Sequence, residues 1–433
     1  MSRIKRSRQY WRWKLALGSW LVMGSAIGEA VLQTFAFSFN CALAQITPDS
    51  TLPNNSSVTT QGNISTIEGG TQAGSNLFHS FQEFSVPRGG TAFFNNAANI
   101  QNIISRVTGG SASDIDGLIR ANAAANLFLI NPNGIVFRQN AQLNVGGSFV
   151  ATTASSLNFA DGNQFSATAS QTTPLLTVSV PLGLQFEPTA GSIVNQSRTT
   201  NISGEPVGLQ VQPGKTLALV GGNVTLEGAT MQAPGGRVEL GGLAGSGTVE
   251  FGDSNNLRLS FPDNIARGDV VLTNGTFVGV AAGGGGSIAI NARNIDVLGA
   301  SYLLAGIDSG LGSGTAVAGD VTLNATGTIA LKQSSNIINE VSPLATGNSG
   351  NIDIKTESLD LENAFLSAST FGLGNGGTIK INARDSVSFF NGSKVFSQVE
   401  PDAVGNSGGI NITTGSLSLT NSELLAHTFG VGN

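Results

Sequence analysis

From about residue 286 the chain repeats itself, and the form of the repeat leaves few folds open. Each unit begins Gly-x-Ile-x-Ile or a close variant: Gly286-Ser287-Ile288-Ala289-Ile290, Gly319-Asp320-Val321-Thr322-Leu323, Gly350-Asn351-Ile352-Asp353-Ile354, Gly377-Thr378-Ile379-Lys380-Ile381 and Gly408-Gly409-Ile410-Asn411-Ile412. The glycines are 33, 31, 27 and 31 residues apart. Nine or ten residues after each comes a second alternating pair: Ile295 and Val297, Ile329 and Leu331, Leu359 and Leu361, Val387 and Phe389, Leu417 and Leu419. Asn363, Asn391 and Asn421 follow the last three pairs, and then a third short run, as in Leu366-x-Ala368-x-Thr370 and Leu424-x-Ala426-x-Thr428.

Strict alternation sends every second side chain to one face, so each unit is three short strands with an apolar side that it cannot bury alone. Stacking successive units at a rise of about 4.8 Å puts equivalent strands in parallel register and closes a continuous apolar interior. The fold expected is all-β: a right-handed, single-stranded parallel β-helix with three strands per coil. Gly and Asn suit its corners because both tolerate positive φ, and Asn recurring at one corner can hydrogen-bond along the stack.

The same vocabulary runs upstream. Gly222-Asn223-Val224-Thr225-Leu226 and Gly236-Arg237-Val238-Glu239-Leu240 read as two further strands, so residues 171–285 are expected to continue the helix irregularly, with a protruding hairpin and a bulge or loop at Gly283–Gly286. At the other end, Phe371-Gly372-Leu373-Gly374-Asn375 leads into a coil, and Phe429-Gly430-Val431-Gly432-Asn433 copies it. The segment 286–433 is therefore expected to continue in a longer protein.

The first 44 residues differ in kind. Arg3, Lys5, Arg6, Arg8, Arg12 and Lys14 precede two apolar runs, Leu15–Ile27 and Val31–Phe39, and then Ala42-Leu43-Ala44. A basic start, an apolar core and small residues at the −3 and −1 positions form a secretory signal, with cleavage by signal peptidase expected between Ala44 and Gln45. Glu29 and the glycines spoil a membrane span. Cys41, the one cysteine, lies in this leader, and its flank Ser38-Phe39-Asn40 lacks the small residues of a lipidation signal. The mature chain then has no thiol and no disulfide, and of the large aromatic platforms it keeps Tyr302 but no Trp. Removing the six bases and Glu29 from totals of 21 basic and 27 acidic residues leaves 15 and 26, a net of about −11. Such a surface disfavours nucleic acid as a partner, since no basic stripe remains to displace phosphate counterions.

Residues 95–160 carry a family likeness. Phe94-Asn95-Asn96, Ile103-Ile104-Ser105-Arg106-Val107-Thr108-Gly109-Gly110, Ile115-Asp116-Gly117-Leu118-Ile119 and Asn126-Leu127-Phe128-Leu129-Ile130-Asn131-Pro132-Asn133-Gly134-Ile135 follow one another. Together they resemble the haemagglutination-activity, or two-partner secretion, domain of filamentous-haemagglutinin-like exoproteins, over roughly residues 45–170. The resemblance implies export by the general secretion machinery and then by a dedicated outer-membrane β-barrel transporter, ending on the cell surface or in the medium. It also implies a role in adhesion, in contact with other cells or in delivery of a C-terminal effector, with a cell-surface or glycan ligand as the expected partner. Asn131, Pro132, Asn133, Gly134 and Ile135 are the most specific part, as a structural turn, a transporter contact or both. The family often has a second, earlier Asn-Pro-Asn-Leu motif, where this chain has Asn95-Asn96-Ala97-Ala98-Asn99-Ile100.

Chemistry-bearing patterns are sparse. Gly214-Lys215-Thr216 imitates the end of a phosphate loop, but position 209 is Leu and no helix pattern follows. His79 and His427 are the two histidines, over 300 residues apart, so no Cys/His catalysis, metal site or cofactor is expected. The enzymatic alternative is a β-helical polysaccharide lyase or hydrolase, for which Asp353 and Lys380 would sit at equivalent outward positions on neighbouring coils with Asn411 a looser third. An acid beside a base on adjacent rungs is the common surface pair of a sheet. The chain is therefore read as a non-enzymatic exoprotein.

Overall fold

Each repeat forms a coil of three strands, and equivalent strands pair in parallel from coil to coil. A computed structural model describes residues 45–168, 176–252 and 257–432, and every regular element among them is a strand. The Gly-x-Ile-x-Ile runs make a first ladder, in which Ile288, Val321, Ile352, Ile379 and Ile410 fall in one column. The second alternating pairs make a second ladder, with Ile295, Ile329, Leu359, Val387 and Leu417 in register. Third runs such as Asn336–Val341, Phe365–Ser367, Lys394–Val399 and Glu423–Thr428 make a third. The parallel β-helix expected from the repeat is thus the architecture, and the inward columns form one cluster running from Ile46 to Val395. Burying each such side chain is worth roughly 1.5–3 kcal/mol.

Upstream, Val224–Glu227 belongs to the second ladder and Arg237–Gly242 to the first, so the described residues between 176 and 285 continue both ladders. The irregularity there is an addition outside the coils. Excursions from two coils supply a five-stranded antiparallel sheet ordered Gln164–Ser166, Ser156–Phe159, Pro181–Phe186, Gly247–Phe251, Leu259–Ser260. This sheet lies over the outer face of the first ladder and forms a second apolar layer with the outward row Phe78, Ile104, Phe128, Val150 and Ala218. Those first-ladder strands are therefore buried on both faces.

One end of the stack is closed. Ile46–Pro48 pairs antiparallel with the end of the first-ladder strand Asn76–Phe84, and the hairpin Ser56–Gln61/Ile64–Gly69 joins the third ladder through Ile64–Ile67 against Thr91–Phe94. An open parallel edge is an invitation to pair with another chain, and antiparallel strands of this kind satisfy it.

Gly and Asn solve different problems at the corners. Asn363, Asn391 and Asn421 take φ of 48°, 55° and 50°, and Asn363 and Asn391 donate to Ser334 Oγ (3.0 Å) and Glu362 Oε1 (3.1 Å) of the preceding coil. The anchoring glycines need no positive φ. They form a column in which backbone meets backbone: a Cβ on Gly350 would stand 2.1 Å from Gly319 O, and one on Gly377 1.9 Å from Gly350 O. Close approach, rather than the expected freedom at positive φ, is what selects glycine there. Gly284 and Gly285, in the four-glycine run, do take positive φ (139° and 88°) in the corner leading to Ser287–Ala292.

Candidate functional site

Asn131–Ile135 forms the corner between first-ladder strand Asn126–Ile130 and second-ladder strand Ile135–Phe137. Pro132 ends the first strand, and Gly134, at φ 123°, permits the sharp entry into the second. Asn131 is fully buried. Its Nδ2 donates to Ser111 O (3.1 Å) and Ser113 Oγ (2.9 Å) of the preceding coil, while its Oδ1 accepts from the Asn133 backbone N–H (3.0 Å). Asn133 is exposed, yet its Nδ2 reaches Gly109 O at 2.6 Å. On the other side the Gly191 N–H donates to Pro132 O (2.8 Å) and the Ile135 N–H to Ser192 O (3.2 Å). A five-residue turn therefore clamps the corners of three successive coils, and its outer surface carries Asn133 and half-buried Pro132.

A polar cluster adjoins this corner through Thr108, next to Gly109. Arg106 is buried under the extra-helical sheet with its Cζ 4.4 Å from the centre of the Phe165 ring. Its Nε donates to Ser80 Oγ (2.9 Å), its Nη2 to Thr51 Oγ1 (2.8 Å), and its Nη1 to Ser166 O. Ser80 and Thr51 pass the interaction on, donating to Asp49 Oδ2 (2.7 Å) and Oδ1 (2.6 Å), and Thr108 Oγ1 donates to Asp49 Oδ2 at 2.6 Å. Burial alone would raise the Asp49 carboxyl, but the hydroxyls of Thr108, Thr51 and Ser80 together hold it below the ordinary carboxylate range. Burial lowers the Arg106 guanidinium from its usual value, with the charge of Asp49 opposing. The relay ties the closing strand, the first ladder and the outer sheet into one body at the level where Asn131 turns.

The region just described is the one that known proteins share. The family model described as the TPS secretion domain matches residues 44–290, more than half of the chain. The chain belongs to this family. A heme/hemopexin-binding protein of Haemophilus influenzae is 34% identical over 110 residues, which are 24% of this chain and 11% of that protein. The crystal structure of the HMW1 secretion domain from Haemophilus influenzae superposes with a TM-score of 0.56 at 16% identity, covering 89% of this chain and 99% of that one. That of the filamentous hemagglutinin secretion domain gives 0.38 at 15% identity, covering 87% and 99%. A TPS secretion domain marks a chain as a substrate of two-partner secretion, bound for the cell surface or the medium.

Within this TPS secretion domain the residues quoted for the likeness fall on successive rungs: Asn102–Val107 pairs with Asn126–Ile130, and Ser113–Ile115 with Ile135–Phe137. In the region of the missing earlier motif, Asn96 is buried and its Oδ1 accepts from the Asn122 N–H (2.9 Å), so that corner too is bound to its neighbour by an asparagine. The expected cleavage residues Ala42 and Ala44 lie outside the described residues; Gln45 is exposed. Asp353, Lys380 and Asn411 do occupy neighbouring rungs, preceded by Thr322, so these four rungs hold one acid and one base. Among the described residues no three His, Cys, Asp or Glu side chains gather in a metal-binding group.

Arg106 was the functional-looking residue that motif reading passed over. Its signal was present: a charge within Ile103-Ile104-Ser105-Arg106-Val107, a run whose neighbours leave no exposed face for it.

Proposed function

We propose that this protein is the exported member of a two-partner pair. The general secretion machinery carries the precursor across the inner membrane, and signal peptidase cuts between Ala44 and Gln45. A dedicated outer-membrane β-barrel transporter then recognises the N-terminal coils. Outside, the chain acts as a non-enzymatic adhesin or cell-surface interaction protein toward a surface or glycan ligand. The observation that carries this reading is the TPS secretion domain match over residues 44–290, the coils that contain the Asn131 corner. Asn131 to Ile135 serve first as a structural clamp, leaving Asn133 outward for the transporter.

Co-expression tests it. With the cognate barrel, the mature chain accumulates in the medium or on the cell surface with Gln45 at its N-terminus; with an empty vector it stays in the periplasm. Equal release without the barrel would refute the pairing. Purified mature protein incubated with acidic glycans should release neither reducing ends nor unsaturated uronides, and reproducible turnover would replace the adhesive reading with the lyase or hydrolase one.

A further inference from the structure

The turn Gly214-Lys215-Thr216, which imitates a phosphate loop in sequence, leads instead into the first-ladder strand Thr216–Gly221 and places Lys215 in a groove of about 430 Å³. The groove runs between the corner that enters the first ladder and the edge of the extra-helical sheet at Pro181. Along its floor the stack of asparagines presents one amide per coil: Asn102 Nδ2 donates to Asn76 Oδ1 (2.9 Å) and Asn126 Nδ2 to Asn102 Oδ1 (3.0 Å). Each of these amide nitrogens carries two hydrogens and spends one in the stack, leaving one over. The Asn126 Oδ1 is taken by the Ser148 N–H (2.9 Å). Ser148 is 6% exposed, and its Oγ accepts from the Thr216 N–H (3.0 Å), so the hydroxyl proton is left to donate. Gln101 at the rim uses its Oε1 toward Ser75 (3.3 Å) and keeps its NH2.

Among the described residues that line this groove, Lys215 alone carries a charge, and its ammonium offers three donors beside the amide and hydroxyl hydrogens just named. No carboxylate lines it among the described residues, although the mature chain is strongly acidic, and Lys215 has no acidic partner there. We propose that the groove binds a carboxylate-bearing oligosaccharide, with Lys215 pairing one carboxylate and Asn102, Asn126 and Ser148 donating to hydroxyl and ring oxygens. Donors repeat at the rise of one coil, about 4.8 Å, a spacing commensurate with successive pyranose units laid along the stack. A single cation fits one carboxylate among several neutral oxygens better than the dense charge of a nucleic acid. This inference rests on the adhesive reading above and names its ligand class.

The test is calorimetric titration of the whole mature protein with an oligogalacturonate and with the same oligomer methyl-esterified. The acid form should bind at least tenfold more tightly than the ester. Lys215→Gln should weaken binding of the acid about tenfold, Lys215→Arg less than threefold, and Lys355→Gln, an exposed lysine on a distant coil, less than twofold. Among the described residues Lys215 has no side-chain partner to lose, so these variants should keep the wild-type circular dichroism. Equal affinity for acid and ester, no binding at millimolar oligomer, or no loss in Lys215→Gln would overturn the proposal. Attachment of labelled protein to cells is read in parallel. Attachment that persists while the glycan arm fails sinks the groove alone, and absent attachment with the glycan arm intact sinks the adhesive reading.

Discussion

Asn131 makes its hydrogen bonds entirely within the protein, and that sets the cost of removing it. Asn131→Ala leaves the Ser113 hydroxyl, buried with it, without its donor, and also removes the bonds to Ser111 O and the Asn133 N–H at the outer edge of the corner. We expect a loss of about 2–3 kcal/mol, seen as faster amide exchange over residues 109–137 and a reduced secreted yield. Asn133→Ala, at an exposed position, should cost about 1 kcal/mol or less, so a secretion defect as large as that of Asn131→Ala would mark a direct transporter contact. His79 offers a second measurement. It is buried against Phe81 and Phe94, bonded to Ser56 Oγ at 2.9 Å, and desolvation lowers its pKa to about 4. The unfolded chain takes up the proton first, so the stability of this end is complete above pH 6.5 and falls as pH drops toward 4, by about 3 kcal/mol in all. Substituting His79→Phe should flatten that loss in acid urea titrations. Asn363, Asn391 and Asn421 could be read at their corners from sequence because an αL position is a local demand. The partners of His79 and Arg106 could not, because Ser56, Asp49 and Ser166 come from distant segments.

At the level of elements, the strands divide into two kinds, and the sequence distinguishes them. After residue 286 the first-ladder runs alternate, as one covered face requires; Asn126–Ile130 and Thr216–Gly221 instead string apolar residues together, as two covered faces require. That continuous pattern announced an outer cover without revealing its source, since the covering strands are excursions from two separate coils paired by long-range contact. Replacing residues 156–186 with a short Gly-Ser linker should uncover Phe78, Ile104, Phe128 and Val150 and produce strong dye binding and aggregation. Gly377→Ala forces a Cβ into Gly350 O and should cost more than about 2 kcal/mol, localised by exchange to the coils on either side.

Across the whole molecule, each coil touches its neighbours along the stack, so stability is a sum of local terms. Two of those terms respond to pH in opposite directions. Glu340, on the third ladder, is half-buried beside Ser367, and desolvation pushes its carboxyl up to about 7. Protonated when folded, it contributes stability that is complete below pH 4.5 and lost as pH rises through 7, about 3 kcal/mol in all. Amide exchange at pH 4.5, 6 and 7.5 should show residues 76–84 gaining protection as residues 336–341 lose it. Glu340→Gln should abolish the second trend, and parallel trends in both segments would show that the stack opens as one unit.

The column of anchoring glycines bears on how such a molecule can change length. At that corner the rungs meet backbone to backbone, and elsewhere around the coil excursions as long as an added sheet are accommodated. A segment spliced in or out between two of these glycines would present the same bare seam to the rungs above and below, whatever its own side chains. The seam is thus a natural recombination joint, one that lets the chain grow or shrink by whole turns while the interior stays continuous.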